Sequence, residues 1–214
     1  MERVLDYVPR LVAANKDYRV EAAPKETSVW WTGGIVLDQG AEGACVGFGT
    51  TGEYGASPVR GKISNSLASS VYDRAKEVDE FEGVDYEGTS VRAGMLVGRE
   101  KGWWTGFKWA FNTDELKTAL HTGPVVLGLE WREQMYEAPK GIVSIDGPVV
   151  GGHCILLTGY TPNYNGRGPT FRWRNSWGPS YGLNGNGYIA VNDLDEVLFK
   201  TGGEAAVPVG RKLA

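Results

Sequence analysis

The pattern of hydrophobic residues changes at Pro124, and this change constrains the fold more than any other feature of the chain. After it come short runs rich in β-branched and aromatic residues, separated by Gly, Pro and Asn: PVVLGLEW, GIVSI, HCILLTGY, PTFRWRNSW and GYIAVN. Such runs predict an antiparallel sheet or a partial barrel. Before Pro124 the apolar residues recur at helical spacing, so the sequence predicts an α+β fold with a helical half first.

The helical half contains four segments with helix signals. Leu67, Val71 and Ala75 recur every four residues, and Asn112 with Glu115 forms a capping-box pattern. We therefore predict helices over residues 45–56, 65–79, 89–101 and 112–121. The first 40 residues are expected to be irregular chain with short extended pieces.

Length and composition favour one folded unit. The chain has 214 residues, 42% of them hydrophobic, and includes eight Trp, which is enough to build a sizeable core. We expect a single domain over residues 1–214, with a mainly helical lobe (1–120) and a mainly β lobe (121–214). A cleft between two such lobes is a common place for a functional site.

Charge and cysteine content exclude several classes of protein. A formal net charge of −4 argues against nucleic-acid binding, and no apolar run approaches the roughly 18 residues of a membrane span. The first residues lack the apolar core of a signal peptide, and two cysteines are few for a secreted disulfide framework. We expect a protein made in the cytoplasm that is monomeric by default and has no nucleic-acid or membrane partner.

A lone thiol stands at the predicted start of the first helix, in LDQGAEGACVGFGTTG. The N–H groups and dipole of a helix N-terminus favour a thiolate at Cys45, while Gly43 and Ala44 leave space for a substrate carbonyl. The backbone N–H of Cys45 and the side-chain amide of Gln39 could then stabilise an oxyanion. The alternatives are a buried core cysteine and a surface glutamine in a turn.

A thiol nucleophile needs a base, and the chain has two histidines. His121 lies at a predicted helix end, where a structural role is expected. His153 begins HCILLTGY after two glycines, and neighbours in a strand point to opposite faces. If Cys154 faces the core, His153 therefore faces the cleft; the alternative is an ordinary strand histidine.

The segment RNSWG offers a partner for that histidine. The carbonyl oxygen of Asn175 could orient the imidazole, and Trp177 could cover the bond between them. The alternative is an Asn-Ser turn with a core tryptophan. A metal site is a weaker explanation, because two Cys and two His at these spacings match no zinc pattern.

Together these motifs resemble those of the papain-like cysteine peptidases. The order Gln39, Cys45, His153, Asn175 is that family's order, and NSWG followed by GYIAV is the most specific part. The resemblance implies a two-lobe fold with the active site in the cleft. It also implies that Gln39 is an oxyanion donor, Cys45 the nucleophile, His153 the acid/base, Asn175 its orienter and Trp177 a shield.

The chain departs from the usual local signature C-G-[SA]-C-[WY] at two positions. Glu42 replaces the first cysteine, which removes a family disulfide, and Val46 replaces the aromatic residue. The 108 positions from Cys45 to His153 are fewer than the roughly 130–150 of the papain group. The family's inhibitory pro-segment is not evident. These features suggest a compact variant of bacterial or phage type.

Substrate contacts follow from the same resemblance. The strip Glu87 to Ser90 could bind an extended peptide through its backbone, the alternative being a helix cap at Thr89. The aromatic segment 101–111 is expected to be core rather than a ligand platform. The residues predicted to bind substrate are Gly43, Ala44, Gly88, Thr89, Gly152 and Trp177.

The predicted reaction is hydrolysis of a peptide or protein substrate through a thioester, without metal or organic cofactor. A thiolate–imidazolium pair would lower the thiol pKa to ~3–4. Two alternatives stay open. One is the same nucleophile acting on another amide, as in a peptidoglycan amidase, an isopeptidase or a transglutaminase-like transferase. The other is a catalytically silent binding module.

Overall fold

The computed structural model describes residues 5–9, 18–83 and 85–213. Among these residues it contains five α-helices and seven strands, separated by turns and two short 3-10 helices. In chain order the elements are β1 Val29–Trp30, α1 Cys45–Gly55, α2 Asn65–Val78, α3 Val91–Glu100, β2 Gly106–Trp109, α4 Thr113–Leu120, β3 Val125–Arg132, β4 Val149–Thr161, β5 Thr170–Arg174, β6 Asn186–Ala190, α5 Val191–Leu198 and β7 Glu204–Val209.

The strands form one antiparallel sheet in the order β2-β7-β3-β4-β5-β6, with β1 paired to β4. Strand β4 is the longest and lies between β3 and β5. Its register sets Cys154 opposite Gly128 of β3, and Gly128 is opposite Glu204 of β7 on its other side. The predicted antiparallel sheet is confirmed.

Helix α1 packs against α2, α3 and β4, and ten of its eleven residues are buried. Its glycines permit this, since a Cβ on Gly47 would lie 2.5 Å from the carbonyl oxygen of Ala68 in α2. A Cβ on Gly49 would lie 2.8 Å from the sulfur of Cys154. The two main hydrophobic clusters share the sheet, one containing α4 and α5 residues and the other α1 and α3 residues.

The four helices predicted from sequence are present with small differences at their ends. Helix α3 begins two residues later than expected because Ser90, not Thr89, caps it: the Ser90 hydroxyl accepts the Ala93 N–H at 3.2 Å. The aromatic segment 101–111 is part of the hydrophobic core, since Trp104 and Trp109 are almost fully buried. No described helix is both long and apolar enough to cross a membrane.

The strands and the end of the chain differ from the prediction at three places. GIVSI is not a strand: residues 139–141 form a 3-10 turn, and Ile142 makes only an isolated bridge to Tyr188. The end of GYIAVN turns into α5, which buries Leu194, Val197 and Leu198. Strand β2, inside the predicted helical half, pairs with β7 near the other end of the chain, a partner that no local pattern identifies.

Candidate active site

Cys45 is the first residue of α1 and is fully buried. Ala44 precedes it as the N-cap residue and is itself buried, in a small cluster with Phe48. The backbone of Cys154 lies close enough to the sulfur to lower its pKa, which places the thiol beside the strand that carries His153. The predicted position of the thiol at a helix N-terminus is therefore present.

The state of that thiol differs from the expectation. Burial raises the pKa of Cys45 to about 12, and the Asp6 carboxylate acts in the same direction, against backbone hydrogen bonds from Cys154 and Asp6 that lower it. The expected pKa of ~3–4 is wrong for this conformation. The physical reason is that Asp6 and its neighbours lie over the sulfur and exclude water.

His153 and Asn175 form the predicted pair. The Nε2 nitrogen of His153 donates to Oδ1 of Asn175 at 2.9 Å, and both side chains are buried. The backbone N–H of Ser176 donates to the same oxygen at 2.7 Å, which holds the amide in place. Cys154 lies in the core with Leu156, as strand alternation predicted.

Two indoles enclose the imidazole of His153. The Trp177 ring lies 4.6 Å from it, centroid to centroid, at 30°, and the Trp131 ring lies 4.7 Å away at 77°. Tyr136 stacks on the far side of Trp177. The shielding role predicted for Trp177 agrees with this geometry. Trp131 was missed, although its alternation with Leu127 and Leu129 placed it on a buried face.

Gln39 is oriented by Ser176. Its Oε1 accepts the Ser176 hydroxyl at 2.6 Å, and its backbone N–H donates to the Ser176 carbonyl at 2.9 Å. Its Nε2 donates to the Glu42 carbonyl at 2.9 Å. A primary amide has two N–H donors, so one remains available for an oxyanion. Ser176 was not predicted as a functional residue.

The cleft beside these side chains is occupied by residues 5–9, here called the cleft segment. Its backbone pairs with both walls: the Tyr7 N–H donates to the Gly152 carbonyl at 3.1 Å, and the Thr89 N–H donates to the Asp6 carbonyl at 3.2 Å. The Val8 N–H completes the set, donating to the Thr89 carbonyl at 3.2 Å. The segment runs parallel to both partners.

Four of the six predicted substrate-binding residues touch this segment. Thr89 and Gly152 bind its backbone, and a Cβ on Gly43 or Gly88 would overlap Asp6. Gly88 also has φ +82°, a conformation that favours glycine. The other two predicted residues, Ala44 and Trp177, pack elsewhere, on the α1 cluster and on His153.

The side chain of Asp6 lies near the carboxylate of Glu87. Burial, and then the nearby Glu87 carboxylate, raise the pKa of Asp6 to about 6. Its Oδ2 atom is buried without a hydrogen-bond partner among the described residues. The cleft segment thus places a poorly solvated carboxyl group directly against Gly43 and the thiol.

A profile of the papain family of cysteine proteases matches residues 87–203, more than half of the chain. The chain belongs to this family. The predicted family and enzyme class, a cysteine-type peptidase, are thereby confirmed. The matched part contains His153 and Asn175 and begins after Cys45, so the nucleophile and Gln39 rest on the structure and the sequence motif. No curated protein matches the chain.

Solved structures of cysteine proteases have the same fold. Xylellain from Xylella fastidiosa superposes with a TM-score of 0.71 at 18% identity, covering 97% of this chain and 96% of that one. Digestive procathepsin L 3 of Tenebrio molitor gives 0.63 at 16% identity, covering 90% and 72%. Bromelain from Ananas comosus gives 0.62 at 14% identity, covering 86% and 99%. The predicted papain-like fold is confirmed.

The loss of the family disulfide has a local explanation. Glu42 stands at the position of the missing cysteine. Its side-chain carboxylate accepts a hydrogen bond from the Ser69 hydroxyl at 3.2 Å. Its backbone carbonyl accepts one from the side-chain amide of Gln39. Both cysteines of this papain-family chain are free and buried. The loop before α1 is therefore held by hydrogen bonds to α2 and to Gln39.

Proposed function

We propose that this chain hydrolyses peptide bonds with Cys45 as nucleophile, His153 as general acid and base, Asn175 as its orienter and Gln39 as an oxyanion donor. The observation that carries the proposal is the 2.9 Å bond from His153 Nε2 to Asn175 Oδ1. This bond directs the other ring nitrogen, Nδ1, away from Asn175 and leaves it as the group that exchanges a proton with the substrate and the thiol.

The chemistry follows from that arrangement. His153 takes the thiol proton, and the Cys45 sulfur attacks the peptide carbonyl carbon to form a tetrahedral oxyanion. The Gln39 amide and the Cys45 backbone N–H donate to this oxygen. His153 then protonates the leaving amine as the C–N bond breaks, and water, activated by His153, hydrolyses the thioester.

Peptide is the substrate class that the cleft supports best. The three hydrogen bonds to residues 6–8 use only backbone groups of the cleft segment, on the two sides Thr89 and Gly152. An extended substrate chain can form such bonds whatever its side chains, as in strand addition. This favours a peptidase over an amidase directed at a non-extended linkage.

The described conformation is a latent one in this proposal. The same backbone groups cannot bind the cleft segment and a substrate together, and the buried thiol is held in its neutral form. Departure of the cleft segment would admit water and substrate and restore the environment in which a thiolate–imidazolium pair is stable. Activity therefore depends on how often residues 5–9 leave the cleft.

The proposal is tested with a fluorogenic peptide library and matched histidine variants. Cys45→Ala and His153→Ala are expected to lower kcat/KM at least ~1000-fold, while His121→Ala at the end of α4 keeps it within about twofold. Iodoacetamide labelling of Cys45, located by mass spectrometry, should slow strongly in His153→Ala. Equal labelling rates in the wild type and in His153→Ala would refute the proposal that His153 is the base.

The alternative amide chemistries are separated by substrate. The same preparation is offered cell-wall fragments, ubiquitin-like conjugates, and peptides with an added amine acceptor. Turnover of these in place of library peptides would replace the peptidase proposal by an amidase, isopeptidase or transferase. Circular dichroism of each variant confirms that lost activity is not lost folding.

A further inference from the structure

Two arginines lie side by side on one face of β5. Residues two apart in a strand point to the same side, so Arg172 and Arg174 project together, whereas Trp173 between them is fully buried. Both arginines are partly buried, and the loop after β1 lies against them. In that loop the Trp31 carbonyl accepts a hydrogen bond from Arg172, and the Gly34 carbonyl accepts one from Arg174.

The hydrogen-bond partners of these two guanidinium groups are neutral. Arg172 donates from Nε to the Thr158 hydroxyl at 3.0 Å and from Nη2 to backbone carbonyls. Arg174 donates from Nε to the side-chain carbonyl of Asn186 at 3.1 Å and from Nη1 to the Gly34 carbonyl at 3.4 Å. Within the described part of the chain, no ion pair includes either arginine. The described residues therefore leave two adjacent positive charges uncompensated.

This environment is unfavourable for two like charges. Burial lowers the pKa of both arginines, and the charge of Arg172 lowers the pKa of Arg174 further. The neighbouring Tyr188 acts in the opposite direction on both. A guanidinium stays protonated at physiological pH, and charges that are taken out of water are normally paired. An anion between the two groups would therefore stabilise both.

The surroundings of the two arginines suit a ligand with an organic part. Gly33 lets the Arg174 guanidinium lie against the backbone, since a Cβ there would be 3.2 Å from Cζ. On the other side, the Trp30 ring is 42% exposed and lies 4.9 Å from Cζ of Arg172. The hydrogen bonds above use neither Nη1 of Arg172 nor Nη2 of Arg174, and each of these nitrogens carries two N–H groups.

We propose that Arg172 and Arg174 together bind a phosphate group, and that Trp30 contacts an organic group attached to it. A phosphate monoester carries about two negative charges at pH 7, which balances two guanidinium groups, whereas a carboxylate balances one. Guanidinium groups bind phosphate oxygens through charge-assisted hydrogen bonds with well-defined geometry. The site is separate from the candidate catalytic group and goes beyond the proposed peptidase function.

The first experiment titrates inorganic phosphate into the full-length protein at constant ionic strength, with heat as the readout. One saturable site per chain is expected. Arg174→Gln should weaken binding at least ~10-fold, the size of a hydrogen bond between charged groups. Arg172→Lys, which keeps the charge and loses the planar fork, should weaken it as well.

A matched control removes the same charge elsewhere. Arg99 is an exposed residue of α3, and Arg99→Gln is expected to keep the affinity for phosphate within about twofold. Equal losses in Arg99→Gln and Arg174→Gln would overturn the proposal, because they would show a nonspecific effect of net charge. The absence of saturable binding to the wild type would also overturn it.

Three ligands identify the chemical class that the site takes. Phenyl phosphate should bind several-fold more tightly than inorganic phosphate if the ligand carries an organic group, and Trp30→Ala should remove that difference. Equal affinities would support the phosphate site and refute the contact with Trp30, which assigns the site to free phosphate. Acetate that binds as tightly as phosphate would overturn the proposal, because one negative charge would then be sufficient.

Thermal unfolding separates a binding site from a purely structural role. Without phosphate, Arg174→Gln relieves the repulsion between the two charges, so its Tm should equal or exceed that of the wild type. Phosphate should raise the Tm of the wild type more than that of the variant. A variant Tm that is lower by the same amount with and without phosphate would assign Arg174 to structure and overturn the proposal. None of these readouts needs peptidase activity, so this site and the proposed function can fail independently.

Discussion

At the scale of single residues, Ser176 connects Gln39 with Asn175, the partner of His153 in the candidate catalytic group. Its backbone N–H holds Asn175 Oδ1, its hydroxyl holds Gln39 Oε1, and its carbonyl accepts the Gln39 backbone N–H. One residue therefore sets the orientation of both the histidine partner and the oxyanion donor. Its place in NSWG was visible in the sequence, but its partner Gln39 lies 137 positions away.

We predict that Ser176→Ala lowers kcat about 10-fold and leaves KM nearly unchanged. The Gln39 amide would lose the bond that fixes its orientation, and an oxyanion donor acts on the transition state rather than on the bound substrate. Steady-state kinetics on the preferred peptide measure the two constants separately. Ser176→Thr, which keeps the hydroxyl, should restore part of kcat, and Ser144→Ala, at a half-buried serine, is the control. A rise in KM at constant kcat would contradict this positioning role.

At the scale of secondary structure, α1 shows why propensity alone is a poor guide to a helix. It contains glycines at positions 47, 49, 52 and 55, each unfavourable by about 1 kcal/mol relative to alanine. It forms because close contact with α2 and β4 buries nearly all of it. The glycines differ in what surrounds them, so they differ in their tolerance to substitution.

We predict opposite effects for two glycines of α1. In Gly47→Ala the new methyl group would lie within 2.6 Å of backbone atoms of α2, so the free energy of unfolding should fall by about 1–3 kcal/mol. In Gly52→Ala the atom nearest to the new methyl group is Cδ2 of Leu156, at 3.7 Å, so the methyl group fits. The gain in helix propensity should then raise the free energy of unfolding by up to about 1 kcal/mol. Urea unfolding of both variants measures the difference. Equal effects would contradict the packing argument.

At the scale of the whole molecule, the cleft segment joins parts of the chain that are far apart in sequence. Asp6 lies against Gly43 and the thiol of Cys45, and it faces the Glu87 carboxylate. These groups come from the loop before α1, from α1 itself and from the turn before α3. The protonation state of Asp6 therefore depends on whether the cleft segment lies in the cleft.

We predict that the cleft segment leaves more readily as the pH rises. The pKa of Asp6 is raised from 3.8 to about 6 in the closed state, so that state binds the proton more tightly than the open one. The stabilisation is complete below about pH 4, and it is lost as the pH rises towards 6. The measurement is deuterium uptake by residues 5–9 in the wild type and in Asp6→Asn at each pH. The uptake of the wild type divided by that of the variant should increase from pH 5 to pH 7. A constant ratio would show that Asp6 does not control opening.

Much of the site was predictable because its signals are local. A helix N-terminus at Cys45, strand alternation at His153 and the motif around Asn175 each depend on a few adjacent residues, and the structure brings the last two into contact at 2.9 Å. The helices over α1, α2 and α4 were found for the same reason. Strands β2 and β7 were not, because each depends on the other as a distant partner.

The sequence by itself determined the helical-then-β organisation, the family and the residue types of the candidate catalytic group, since these follow from short-range patterns and motifs. Only the tertiary structure decided the protonation of Cys45, the burial of Tyr7 beside Glu204, and the enclosure of His153 by Trp131. Burial and electrostatic environment arise from contacts between distant segments. A linear pattern can place a thiol at a helix end, but the folded chain determines what covers it.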